Sequence, residues 1–476
     1  MRRIKVNFTP FDKPKAECAV VGIWNLPEAA NLCYLALYAL QHRGQEASGI
    51  VSKDGNRLYR YVGQGLVADV FGDRRVFEHL PGRAAIGHNR YSTTGPSTAL
   101  NIQPFLVHDR EGSVALSHNG NLVNYIALKR FLEEEGSLFS TTSDSELFLQ
   151  LLARSRREGF LARLEETLHL VQGAYSLVIL TEEALYAVRD PLGFRPLAIG
   201  VKDEGWVVAS ETCAFDLIGA EYMRDLAPGE IVIFNESGMK SHIYAQSSRK
   251  AHCIFEFIYF SRPDSAIYGS MVDKTRRRLG HILAQFHPPP PQADFVISVP
   301  DSSNTAALGF AHQSGLPYEI ALIRNHYVGR TFIEPEQTMR DFGARVKFNP
   351  VKGVLKGKRV VLVDDSIVRG TTLRKLVRLI RQAGAVEVHV RISSPPIVSP
   401  CYYGMDFPTR EELIASSHSV EEIRQFIEAD SLEYLTPEEL LEATPKGTQG
   451  DYCTACFTHH YPIPVPDYNK PSNGCE

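Results

Sequence analysis

The stretch VVLVDDSIVRGTT, Val360 to Thr372, decides how this chain is read. Its apolar run, Val360 to Val363, predicts a strand buried on both faces, and the run stops at two adjacent carboxylates, Asp364 and Asp365. Ser366 and then Arg369, Gly370, Thr371 and Thr372 follow. Helical periodicity over Leu373 to Ala383 turns that segment into a helix N-terminus, where backbone N–H groups and hydroxyls can hold a phosphate. In an open α/β sheet, ligands sit beyond the carboxyl ends of strands, which is where the carboxylates and the anion loop meet.

Working outward, FVISVPDSSNTAALGFA (Phe295 to Ala311) and VHVRISSPPI (Val388 to Ile397) again join a strand-like run to a polar turn. A parallel sheet with crossover helices requires this alternation. In VPDSS, Ser302 stands where a second strand ends. The prolines Pro288 to Pro291 predict a surface loop.

The chain has 476 residues, room for two or more domains with cores that need no disulfide staples. With 51 basic against 55 acidic residues the net charge is −4, and no basic stripe stands out, which argues against a nucleic-acid partner. No apolar run approaches a membrane span, and the basic, polar start MRRIKVNFTPFDKPKAE lacks the core of a secretory signal. The expected compartment is the cytoplasm.

Cys18 opens the strand-like run CAVVGIWN after that polar start. A cysteine exposed as a new N-terminus carries its own α-amine, which can serve as general base for the thiol. Removal of residues 1–17 as a propeptide would create that arrangement. Downstream come LQHRGQEASGIV (Leu40 to Val51), IGHNRYSTTG (Ile86 to Gly95), LSHNGNLVN (Leu116 to Asn124) and TTSDSE (Thr141 to Glu146). Each is a polar, Gly-containing or hydroxyl-rich stretch between apolar runs, so each presents side chains from a loop or strand end.

The eight cysteines do not form a secreted disulfide pattern. Cys33 and Cys213 read as core residues, and Cys475 lies in the tail. Cys453 and Cys456 form a CxxC in GDYCTACFTHHYP, with Cys253 and Cys401 the other cysteines of the second half. Four thiolates suit either a structural Zn²⁺ or an iron–sulfur cluster, and ligand type alone does not separate them. His459 and His460 are further candidate ligands.

The motif at Val360 to Thr372 resembles the diphosphate-sugar site of type I phosphoribosyltransferases, whose substrate is phosphoribosyl pyrophosphate (PRPP). The resemblance implies Asp364 and Asp365 at the ribose hydroxyls and in a Mg²⁺ shell shared with Ser302, Arg369 to Thr372 at the 5′-phosphate, and Ser366 among the PRPP contacts. RNHYVGRTFIE (Arg324 to Glu334) resembles the loop that closes over PRPP, with Arg324, Arg330 and then Lys347 reaching phosphate.

Residues 18–246 are similar to the glutaminase domain of class II glutamine amidotransferases. The implied fold is the αββα sandwich of N-terminal-nucleophile hydrolases, followed over 247–476 by a phosphoribosyltransferase parallel sheet: an α/β and α+β chain of two domains. By the same likeness Cys18 is the nucleophile, Asn119 and Gly120 form the oxyanion hole, Arg43 belongs to the glutamine site and is expected to order the nucleophile end, and Arg90, Thr93 and Asp144 contact glutamine. Ala19 and Val21 depart from the common CGVFGI start, and Ala19 removes a glycine's freedom beside the nucleophile.

Together the halves resemble the glutamine PRPP amidotransferases. The cysteine contexts resemble the iron–sulfur branch, which implies a [4Fe–4S] cluster on Cys253, Cys401, Cys453 and Cys456 in place of zinc. The family also implies Mg²⁺, glutamine and PRPP as substrates, purine nucleotides as feedback inhibitors, and a homotetramer or homodimer. A dry passage for ammonia between the sites is expected, with FEFIYFSRP as candidate lining. A PRPP-sensing regulator would lack part of the glutaminase set, and the glucosamine phosphate or asparagine synthases share only the first half.

Overall fold

The computed structural model describes residues 18–91, 99–325, 348–405, 407, 409–445 and 450–465. The first half is two antiparallel sheets stacked face to face. The seven-stranded sheet is centred on Ala19–Trp24, which lies between Gly205–Ala209 and Ala84–Arg90; Ala47–Asp54 pairs with the outer side of Ala84–Arg90. The six-stranded sheet runs through Leu185–Arg189, Gly173–Thr181, Gly112–Leu122 and Phe105–Asp109.

Strand periodicity explains the layering. Along CAVVGIWN, Val20 and Trp24 enter the core between the sheets, packed with Ala115, Val178 and Leu185. Ala19, Val21 and Ile23 point the other way and pack with Cys33 and Leu37 of helix Ala29–Ala39 and with Cys213 and Phe215. Both faces of this strand are therefore buried, which is why its sequence is continuously apolar. Helices Glu146–Arg154 and Phe160–Leu170 cover the far side of the second sheet, giving the αββα order.

The second half is a four-stranded parallel sheet in the order Phe295–Ser298, Arg359–Asp364, Glu387–Ile392, Ser431–Tyr434. Val361 and Val363 pack toward helices Val272–Phe286 and Asn304–Ser314, while Val360 and Leu362 pack toward helix Thr371–Gln382. Each such side chain fully buried contributes about 1.5–3 kcal/mol. The central strand is held from both sides, so its end is a fixed point. Among the described residues no helix is long and apolar enough to cross a membrane.

Helices Val272–Phe286 and Asn304–Ser314 touch backbone to backbone, because a Cβ on Gly280 would sit 1.8 Å from the Ala306 carbonyl oxygen and one on Gly309 would sit 2.0 Å from the Arg277 carbonyl oxygen. Gly280→Ala should therefore destabilise the protein in chemical denaturation. Overpacking costs about 1–3 kcal/mol, against which better helix propensity returns at most about 1 kcal/mol. An unchanged or higher midpoint would contradict the close crossing.

Candidate active sites

Cys18 stands at the head of the central strand, 9% exposed, with its thiol donating to the Tyr91 carbonyl at 3.5 Å. Its own carbonyl accepts from Arg43 Nε at 3.3 Å. The rest of that guanidinium is buried against two carboxylates, Glu211 at 2.6 Å and Glu256 at 2.6 and 2.9 Å. Burial by itself raises the Glu211 carboxyl, but His42 and Arg43 beside it hold it well below the usual range. Glu256 behaves likewise, lowered by Arg43 against its burial. Both stay ionised and anchor the Cys18 end of the strand. Arg43 thus stands at the nucleophile end, where it is expected, with its guanidinium turned to this network.

Strand register brings the next residues alongside. Ala19 lies opposite Asn89, which places Arg90 at the nucleophile end of the neighbouring strand. Arg90 is 3% exposed and donates to the Asn101 carbonyl at 3.0 Å. Asn89 is itself pinned, donating to the Leu37 carbonyl at 2.8 Å and accepting from Ser48 at 2.9 Å.

Asn119 and Gly120 come from the facing sheet. The Asn119 side chain is 1% exposed, and its Nδ2 is buried with no hydrogen-bond partner among the described residues. An unmet buried donor is costly unless a ligand completes it. Gly120 has φ +144°, and a Cβ there would lie 2.0 Å from the Ala174 carbonyl oxygen, so only glycine fits. The same strand carries His118, whose N–H donates to Gln103 Oε1 at 2.8 Å and whose Nδ1 meets Ser145 Oγ at 2.9 Å. His88 Nε2 reaches the His118 carbonyl at 3.1 Å and ties the two sheets together. Burial and the nearby Arg90 push His88 down to about 3, so it is neutral and donates that bond. Asp144 accepts from the Leu122 N–H at 2.9 Å and is 5% exposed. Thr93 lies outside the described residues.

In the second half, Asp364 ends its strand 2% exposed and Asp365 follows at 1%. Hydroxyls ring them: Ser302 donates to Asp365 at 2.5 Å, Ser303 to Asp364 at 2.9 Å, and Ser366 to Asp365 at 2.7 Å. Two carboxylates within hydroxyls form a hard oxygen set of the kind Mg²⁺ takes. Beyond them Gly370, φ +76°, starts helix Thr371–Gln382, with no acidic side chain in its first turn to compete for an anion. Arg369 contacts Glu412 at 3.1 Å, and Arg324 contacts Asp301 at 2.7 Å, next to Ser302. Arg330 and Lys347 lie outside the described residues.

Cys253, Cys401, Cys453 and Cys456 line one small cavity with Phe255 and Met405. Strands His252–Cys253 and Tyr452–Cys453 pair in parallel, setting Cys253 opposite Cys453. Burial pushes the Cys453 thiol up to about 12 and raises the Cys456 thiol well above the ordinary range, with the neighbouring cysteines adding to the rise. Such thiols ionise only if a cation joins them, and an all-sulfur set suits a soft one. Among the described residues, no group of three or more His, Cys, Asp or Glu is disposed to hold a metal ion. His459 and His460 do not line the cavity; His459 meets Ser399 at 2.7 Å.

The sequence reading does not single out Glu211, Glu256 or Arg195. The Arg43 partners lie 168 and 213 residues away along the chain, so local pattern carries no sign of them. His118 was within reach, since it belongs to the quoted LSHNGNLVN.

Family models described as a glutamine amidotransferase domain and a phosphoribosyl transferase domain match residues 88–216 and 278–393. A Vigna aconitifolia protein named amidophosphoribosyltransferase, chloroplastic, is 53% identical over 96% of this chain and 94% of its own. The Bacillus subtilis amidophosphoribosyltransferase is 50% identical over 94% of each. A solved structure described as the B. subtilis glutamine PRPP amidotransferase complexed with ADP and GMP superposes with TM-score 0.90 at 49% identity, covering 95% of this chain and 98% of that one. The chain belongs to the amidophosphoribosyltransferase family.

Proposed function

We propose that the chain moves the amide nitrogen of glutamine onto PRPP, yielding 5-phosphoribosylamine, glutamate and pyrophosphate, the committed step of de novo purine biosynthesis. The observation that carries this is a pairing in one chain: a strand-head cysteine with a buried unmet amide donor in one half, and a hydroxyl-ringed Asp364–Asp365 pair before a phosphate turn in the other.

At the first site the Cys18 thiolate attacks the glutamine amide carbon. Its α-amine, exposed by removal of residues 1–17, takes the thiol proton. The oxyanion meets Asn119 Nδ2 and the Gly120 N–H, donors fixed before the charge develops. Collapse expels ammonia, and water hydrolyses the remaining thioester to glutamate. Arg90 offers its fork to the substrate carboxylate and Asp144 its charge to the ammonium. Arg43 positions the nucleophile through the Cys18 carbonyl. Thr93 adds a hydroxyl contact.

At the second site Asp364 and Asp365 take the ribose hydroxyls and, with Ser302, a Mg²⁺ shell that neutralises pyrophosphate charge. Arg369 to Thr372 hold the 5′-phosphate, Ser366 adds a contact to PRPP, and Arg324, Arg330 and Lys347 contribute as PRPP is covered. Pyrophosphate leaves through an oxocarbenium-like state while ammonia adds at C1. The domain division falls at 246/247, after the last strand of the second sheet at Ile243.

The four cysteines hold a [4Fe–4S] cluster that staples the segments bearing Cys253, Cys401 and Cys453 with Cys456. The resemblance of the cysteine contexts to the iron–sulfur branch favours this cluster over the alternative, a structural Zn²⁺ on the same four thiols lining one small cavity. The B. subtilis relative's complex with ADP and GMP supports purine nucleotides as feedback ligands here. A cytoplasmic homotetramer or homodimer completes the reading.

Cys18→Ala should abolish synthesis from glutamine and leave synthesis from added ammonia near the wild-type rate, whereas Asp364→Asn with Asp365→Asn should impair both. Steady-state assays with each nitrogen source check this, and loss of only the glutamine reaction in the double variant would contradict the second site. Anaerobically purified protein should show broad visible absorption and about four irons per chain; stoichiometric zinc without iron would refute the cluster.

A further inference from the structure

The loop carrying Cys401 is built against the oxyanion strand. Gly404, at φ +109°, packs so closely on Gly120 that a Cβ there would lie 3.1 Å from the Gly120 carbonyl carbon and 3.2 Å from its Cα. One residue along from Gly120, Asn121 donates through Nδ2 to the Tyr402 carbonyl at 2.9 Å. Arg195, wholly buried, donates to the Tyr403 carbonyl through Nε at 3.1 Å and Nη2 at 2.6 Å. Three successive loop residues therefore touch either the oxyanion strand or the arginine behind it.

The loop is held from its other side as well. The Tyr403 N–H donates to Cys401 Sγ at 3.3 Å, its ring stacks on Phe194 at 4.3 Å, and its hydroxyl donates to the Ile463 carbonyl at 2.7 Å. Arg195 also lies 3.7 Å from Glu256, the carboxylate that grips Arg43 and through it the Cys18 carbonyl. One support thus reaches both the nucleophile and the oxyanion donor.

Among the described strands, Gly120 is paired on one edge, with Tyr175. Its φ of +144° is one of many open to glycine, so a fixed N–H direction needs a second constraint. An oxyanion donor must be placed to tenths of an ångström. We propose that Asn121 is a positioning residue of the glutaminase, which with Gly404 locks the Gly120 N–H and makes the Cys401 loop the floor of the oxyanion hole. This inference rests on the Asn119–Gly120 assignment above. A consequence is that the cysteine cavity supports amide hydrolysis.

The test uses full-length holoenzyme carrying Asn121→Ala or Gly404→Ala, with Tyr403→Phe as a control that keeps every bond to the oxyanion strand. Glutaminase kcat should fall about tenfold or more with KM for glutamine within about twofold, since misplacing a catalytic group acts on the transition state. Ammonia-dependent synthesis and iron content should stay near wild type, as should the thermal midpoint of Asn121→Ala, while Gly404→Ala, strained at φ +109°, should melt lower. Inhibition by glutamate γ-semialdehyde supplies a readout that a merely structural role would not move. Its carbonyl accepts the Cys18 thiolate to form a C–S bond and an oxyanion, so its affinity should drop in proportion to kcat, while affinity for glutamate holds. Equal weakening of both ligands, or unchanged kcat in both variants, would overturn the inference. Wild-type kcat in Asn119→Ala would instead overturn the oxyanion assignment itself; an impaired Asn119→Ala beside an unimpaired Asn121→Ala defeats the positioning role alone.

Discussion

A buried ion-pair network joins the two halves and fixes the nucleophile. Arg43, Arg195, Glu211 and Glu256 are all fully buried, two cations against two anions. Ser265 and the Arg262 N–H complete Glu211 at 2.7 and 2.9 Å, and Ser261 completes Glu256 at 2.6 Å. Such a cluster adds little net stability over an apolar core, yet removing one member costs about 3–5 kcal/mol because the others are stranded. What it supplies is geometry. Arg43 fixes the Cys18 carbonyl, and Glu256 belongs to the helical turn Glu256–Phe260 at the start of the second half. On the far side of that turn, Arg276 donates to the Phe257 and Ser261 carbonyls at 2.7 Å each. Burial pushes Arg276 down to about 10, with Asp365 the first of the charges opposing that fall.

Each site sits where a doubly buried strand ends. Val360 to Val363 and Ala19 to Ile23 are packed on both faces, so their ends are the least movable points of their domains. Chemistry needs that rigidity, since an oxyanion donor or a ribose-binding carboxylate works only if held before the substrate arrives. Polar side chains at these ends are then satisfied locally, by serines around Asp364 and Asp365 and by Gln103 and Ser145 around His118. Asn119 Nδ2, aimed at the proposed oxyanion, is among the buried polar atoms with no partner among the described residues.

The strand–carboxylate–turn unit at Val360 to Thr372 was legible because every part of it is contiguous in sequence. The same holds for the order of the glutaminase loops and for the CxxC. Legibility failed where partners lie far apart. Within FEFIYFSRP, Glu256 is the hub of the ion-pair network, a role set by a contact 213 residues away and invisible in local pattern. Arg43, expected at the nucleophile end, reaches the Cys18 carbonyl, while its pairing with Glu211 and Glu256 has no sign in the sequence around it. No pattern announced that CYYG at Cys401 to Gly404 would pack beneath Gly120, because that contact depends on how the halves meet.

The central claim is that one chain couples amide hydrolysis at Cys18 to ammonia addition at the Asp364–Asp365 site, and the dry passage expected from the sequence implies that this nitrogen does not mix with solvent ammonia. The direct measurement supplies amide-¹⁵N glutamine with PRPP and a large excess of unlabelled ammonium near neutral pH, then reads the isotope in trapped phosphoribosylamine. The account predicts product far richer in ¹⁵N than the bulk ammonia pool. Product matching the pool would contradict it.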